Sequence, residues 1–153
     1  MTVIENTVEF AVPPERVWRV LGTLDALERY DPGVARSQIT STERTGIGAT
    51  RQCDLKPGGW FRERVTVWEP ERSLGFELFA CTLPVKRLRH DYVLTPVAGG
   101  TRVQQRMEYQ LKFGPLGRLL DAAIVRRRWR AGIALFLRGL QQLIERDPDI
   151  VGP

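Results

Sequence analysis

Glu63 is the residue whose chemistry asks for an explanation first. In the stretch Trp60 to Glu69, WFRERVTVWE, strict alternation puts Phe61, Val65 and Val67 on one face together with Glu63. Trp60, Arg62, Arg64, Thr66 and Trp68 take the other face. A carboxylate in an apolar row is costly without a cationic or hydrogen-bonding partner. Parity offers several partners. His90 and Tyr92 fall in the row of Leu88 and Leu94, and Gln105 and Tyr109 fall in the row of Val103, Met107 and Leu111. Arg51 shares a face with Ala49, Cys53 and Leu55, and Arg126 stands in the apolar stripe of a long helix near the C-terminus. Glu63 is expected to pair with Arg51, Arg126 or His90.

These residue types can do two kinds of work. Glu63 or His90 can take a proton from an acidic carbon while Arg126 or Arg51 steadies the enolate, with Tyr92 or Tyr109 donating to a carbonyl. That is the chemistry of an aldol ring closure followed by dehydration. The same groups can orient the polar head of a bound molecule, or simply satisfy one another inside a core. The catalytic candidates are therefore Glu63, His90 and Arg126. A pocket would be lined by Arg51, Phe61, Glu63, Val65, Phe76, His90, Tyr92, Gln105, Met107, Tyr109, Arg126, Trp129 and Ile133. No metal site is expected, since His90 is the one histidine and neither HExxH nor CxxC occurs. No GxSxG elbow is present, and no cofactor is implied. Cys53 and Cys81 read as free thiols, with Cys53 a small buried filler.

The elements that must position these groups follow from pattern and punctuation. Val3 to Phe10 alternates as a half-buried strand, with Ile4, Val8 and Phe10 inward. Pro13 and Pro14 break it, and the next stretch reads as two short helices interrupted at Gly22, with Trp18 a core anchor. Six further strands are expected, joined by turns at ERTGIG, KPGG, Pro70–Glu71 and VAGG. The last, Thr101 to Phe113, has a wholly polar outer row, so one side of the sheet meets water. A helix then runs from Pro115 to Glu145, roughly 45 Å at the usual rise. Leu119, Ala122, Arg126, Trp129, Ile133, Leu137, Leu140 and Ile144 form its inward stripe. Gly114–Pro115 starts it, and Asp147–Pro148 stops it.

The fold class is α+β: a curved seven-stranded antiparallel sheet around one long helix, with concave surface to spare for a cavity. A chain of 153 residues, 42% hydrophobic and 27% charged, fits one globular domain over 1–147 with 148–153 as a tail. The net charge of +5 favours acidic partners weakly, and without a finger, KH or RRM pattern it does not indicate nucleic acid. In the run RRRWR, Arg127 and Arg128 point away from the stripe. They form a solvated face or a contact for anionic lipid headgroups. With no leader pattern and no long apolar run, a cytoplasmic location is expected.

The order of elements and the passages PPERVWRVL, WFRERVTVWEPERSLGFEL, HDYVLTPVAGGTRV and MEYQLKFGPLGRLLD together resemble the START-like, Bet v 1-like superfamily. The resemblance is to its bacterial polyketide cyclase/dehydrase and lipid-transport (SRPBCC) relatives, and it spans roughly Thr2 to Glu145. It implies a helix-grip domain whose closing helix seals a pocket for a hydrophobic or amphipathic molecule of lipid, polyketide or aromatic type. It also implies two alternatives: a cofactor-independent cyclase/dehydrase, and a non-catalytic interaction or stress-related protein. The loop Glu43 to Gly48 falls where Bet v 1-like proteins carry a glycine-rich loop. No catalytic set transfers residue by residue.

Overall fold

Alternating rows separated by tight turns leave each strand one nearby partner, its sequence neighbour. The computed structural model, which describes residues 1–146, follows that rule for the six strands after the first. β1 (Thr2–Phe10) is followed by helix α1 (Pro14–Leu21), then β2 (Val34–Ile39), β3 (Thr50–Leu55), β4 (Trp60–Glu69), β5 (Ser73–Cys81), β6 (Val85–Val97) and β7 (Gly100–Leu111). The antiparallel sheet has the order β1-β7-β6-β5-β4-β3-β2, so β1 closes on the last strand and β1 and β2 form the edges. The second short helix expected after Gly22 is a single 3₁₀ turn, Leu27–Arg29. Its Leu27 amide is capped by the Ser37 hydroxyl at 3.1 Å, which ties the turn to β2.

Two bulges interrupt the β4–β5 pairing, one with Phe79 as the extra residue on β5 and one that modifies the alternation of β4 itself. Val65 pairs with Phe76 and Val67 with Gly75, so Thr66 is an extra residue in the ladder. The faces of Val67 and Trp68 are consequently the reverse of those expected. Val67 lies with Asp91 over Gly75, on the outer side, and Trp68 turns inward to meet Trp18 edge-on at 5.0 Å. β1 and β7 pair without such a shift, and the one irregularity of β6, between Val85 and Arg87, lies ahead of its inward row. Ile4, Phe10, Tyr92, Leu94, Val103 and Tyr109 are all buried in the core.

The closing helix has three parts. α2 (Gly114–Leu120) begins after Phe113, whose φ of 76° sharply turns the chain, and α3 runs over Arg126–Arg146. A π-helical turn, Asp121–Val125, joins them. This turn corrects the expected inward stripe. Leu119 is 66% exposed and Ala122 is exposed, whereas Gly117 and Asp121 face inward. The wider turn adds a residue to the period and rotates everything after it. From Ile133 onward the stripe lies as the spacing predicts, with Ile133, Leu137, Leu140 and Ile144 buried and Phe136 beside them. The stop at Asp147–Pro148 and the 148–153 tail lie outside the described residues. No described helix is long and apolar enough to cross a membrane.

Candidate functional site

The centre of the inner face is a buried polar group built by three strands. β3 and β4 pair Arg51 with Glu63, and β5 and β6 pair Phe76 with His90. Arg51 donates from Nε to Glu63 Oε1 at 2.7 Å, and its Nη2 lies 2.5 Å from the same oxygen. Arg51 Nη1 also donates to the Leu24 carbonyl at 3.0 Å. The other carboxylate oxygen, Oε2, is 2.8 Å from His90 Nε2. Glu63 is 1% exposed, and both of its oxygens are engaged.

Aromatic rings wall this group. The His90 ring stacks on Phe76 with centroids 4.9 Å apart, and the Arg51 guanidinium lies over the Phe76 ring at 4.4 Å. Tyr92 meets the edge of His90 at 5.6 Å, and Phe136 from α3 closes over Tyr92 and Tyr30 at 6.1 and 5.4 Å. Burial alone would raise the Glu63 pKa. The Arg51 charge, with His90 beside it, reverses this and brings the carboxyl down to about 2. Burial lifts the Tyr30 and Tyr92 phenols well above their ordinary range and pushes the Cys53 thiol up to about 12. Cys53 is thus an inert thiol.

Arg126 is not in this cluster. Its Nη2 donates to Asp121 Oδ2 at 3.0 Å, and its side chain is 42% exposed at the rim. Asp121 also accepts from Thr2 Oγ1 at 2.5 Å and from the Tyr109 hydroxyl. Tyr109 in turn packs on Trp129 at 4.4 Å. Burial raises the Asp121 pKa, but the donors Thr2, Tyr109 and Arg126 outweigh it and hold the carboxyl low. The expected polar set is thereby split into an inner group around Glu63 and an outer latch around Asp121. Gln105 is buried and accepts from Asn6 at 3.2 Å. Val65 and Ile133 are buried, while Phe61, Met107 and Trp129 are half-buried against the core.

Tyr30, Phe136 and the Leu24 carbonyl belong to the inner group and were not singled out from sequence. Tyr30 closes the 3₁₀ turn, and only the fold brings it beneath α3. Asp121 carried one visible signal, as the sole acid between Lys112 and Leu143. An open groove of about 240 Å³ separates β1 from α3, lined by Asn6, Thr7, Val8, Ala134, Leu137, Arg138 and Gln141. Among the described residues no group of three or more His, Cys, Asp or Glu side chains is placed to hold a metal ion.

The comparisons agree with this architecture. Uncharacterised proteins of Mycobacterium tuberculosis and Mycobacterium bovis are 30% identical over 138 residues, covering 90% of this chain and 81% of theirs. A Thermus thermophilus crystal structure superposes with a TM-score of 0.80 at 21% identity, over 95% of this chain and 98% of the other. An aromatase/cyclase from a Streptomyces species gives 0.79 at 15% identity, covering 99% and 98%. A START superfamily protein of Mycobacterium smegmatis gives 0.78 at 14% identity, covering 94% and 97%. At such identities these likenesses speak for the fold. The sequence profile described as polyketide cyclase / dehydrase and lipid transport matches residues 1–145, and the chain belongs to that family.

Proposed function

We propose that this protein binds a hydrophobic or amphipathic small molecule between the concave face of the sheet and α3. In this reading the Arg51–Glu63–His90 group meets the ligand's polar end. The observation that carries it is unspent hydrogen-bonding capacity inside an apolar interior. Glu63 engages only Nε2 of His90, leaving Nδ1 for another partner. The Tyr30 and Tyr92 side chains are largely buried, and neither hydroxyl makes a hydrogen bond among the described residues. Interior polar groups normally find partners, and a ligand carbonyl, hydroxyl or carboxylate would supply them. The surrounding wall of Phe76, Tyr92 and Phe136 suits an aromatic or acyl body.

The test is saturable binding. Mass spectrometry of the purified protein should find a copurifying apolar molecule. Titration with a long-chain fatty acid and with a polycyclic aromatic ketone should give saturation by at least one. Tyr92→Phe should weaken that binding about three- to tenfold, the worth of one hydrogen bond. No copurifying molecule and no saturation by either probe would sink the reading.

A cyclase/dehydrase reading rests on one feature, the carboxylate–imidazole pair. Glu63, held ionised and doubly bonded, is a poor base, so the proton acceptor in that reading is His90 Nδ1, with Glu63 fixing the tautomer. Equal cyclisation rates of a poly-β-ketone substrate with native protein and His90→Gln would remove it.

A further inference from the structure

Rotation of the closing helix at the π turn leaves an apolar surface without cover. Leu116, Leu119, Leu120 and Ile124 are exposed along the outer side of α2 and the turn, and Phe113 at the tip is 65% exposed. Five large apolar side chains so close in sequence, from the start of α2 through the π turn, form a stripe rather than scattered surface residues. The exposed charges on this stretch of chain are of one sign. Lys112, Arg118, Arg127, Arg128, Arg130 and Arg138 are all exposed. The one acid between Lys112 and Leu143 is Asp121, which is buried and paired with Arg126.

We propose that this face, Phe113 to Arg128, docks on an anionic lipid membrane surface. Leucine, isoleucine and phenylalanine side chains enter the boundary between headgroups and acyl chains, and flanking arginines meet lipid phosphates. A second copy of the chain fits the same face poorly. A two-fold interface would set this basic rim against itself, with no exposed acid on the segment to relieve it. The docking requires no ligand in the interior, so its failure and the failure of the binding reading are separate outcomes.

Cosedimentation of the full chain with vesicles of phosphatidylcholine, and of phosphatidylcholine doped with phosphatidylglycerol, tests the proposal. Binding to the doped vesicles is expected to be at least about tenfold stronger and to weaken as salt is raised. Leu119→Glu with Ile124→Glu, and separately Arg127→Glu with Arg128→Glu, should each reduce it about tenfold or more. All four residues are exposed, so an unchanged circular dichroism melt is expected for both variants. Equal partition onto the two vesicle types, absence of binding, or binding that survives Leu119→Glu with Ile124→Glu would overturn the proposal. A concentration-dependent dimer abolished by the Leu119→Glu, Ile124→Glu pair would assign the face to a second copy and overturn it as well.

Discussion

Arg51 and Glu63 stand directly opposite each other on β3 and β4, and the guanidinium that neutralises the carboxylate also holds the Leu24 carbonyl. One side chain therefore fastens the chain segment after α1 to the middle of the sheet while keeping an anion in the interior. Removing one partner of such a buried pair leaves the other uncompensated, at about 3–5 kcal/mol. Arg51→Met should lose about that much in urea unfolding, and Arg51→Met combined with Glu63→Leu should recover most of it. A single-variant loss below about 1 kcal/mol, the scale of an exposed pair, would contradict this account.

The same carboxylate sets an acid limit. The Glu63 pKa is lowered on folding from its ordinary 4.5 to about 2. A depressed carboxyl binds its proton more tightly in the unfolded chain, so stability rises with pH across the interval between the two values. The contribution of Glu63 is complete above about pH 5 and is lost progressively as pH falls toward 2. Asp121, also held low, acts in the same direction. Urea midpoints should drop between pH 6 and pH 3, and the drop should be shallower in Glu63→Gln. An identical slope in that variant would show that Glu63 is not the titrating group.

The latch at Asp121 ties the start of the closing helix to both β1 and β7 through Thr2 and Tyr109. Asp121→Ala leaves the buried Tyr109 hydroxyl without its acceptor and should cost about 2–3 kcal/mol. Because α2 makes few other contacts with the sheet, the loss should show first as faster amide hydrogen exchange in Gly114–Leu120. Uniform acceleration along the chain instead would place the effect on global stability alone.

Two glycines in α3 make a paired test. A Cβ at Gly139 would lie 2.0 Å from the Tyr30 carbonyl oxygen, a backbone atom that cannot step aside, whereas Gly132 has nothing within 4 Å. Alanine is the better helix former by about 1 kcal/mol at either position. Gly132→Ala should therefore raise the melting temperature, and Gly139→Ala should lower it despite the same propensity gain. Matching shifts would mean that α3 does not approach Tyr30 so closely.

Strand parity made much of this legible. Glu63, His90 and Arg51 lie on one face because alternation holds on β3, on β6 from Arg87 and on β4 up to Val65, and a buried carboxylate demands cationic company. Parity could not foresee the swap of Val67 and Trp68, because the extra residue at Thr66 exists only in relation to Gly75 and Phe76 on the partner strand. It also could not bring Tyr30 or Phe136 to the group, since that meeting joins a 3₁₀ turn to α3 across more than a hundred residues. The helical period failed for a related reason. Leu119 and Ala122 continue the spacing of Ile133 and Leu137 on paper, but one wider turn separates the two stretches.

That turn gives the closing helix two reading frames. In the rear frame each apolar position answers to the core, and a change at Leu140 or Ile144 is felt by the sheet. In the front frame Leu116 and Leu119 are mostly exposed, and a polar residue there would cost the fold little packing. On the docking proposal, leucine at those positions answers to the lipid rather than to the core.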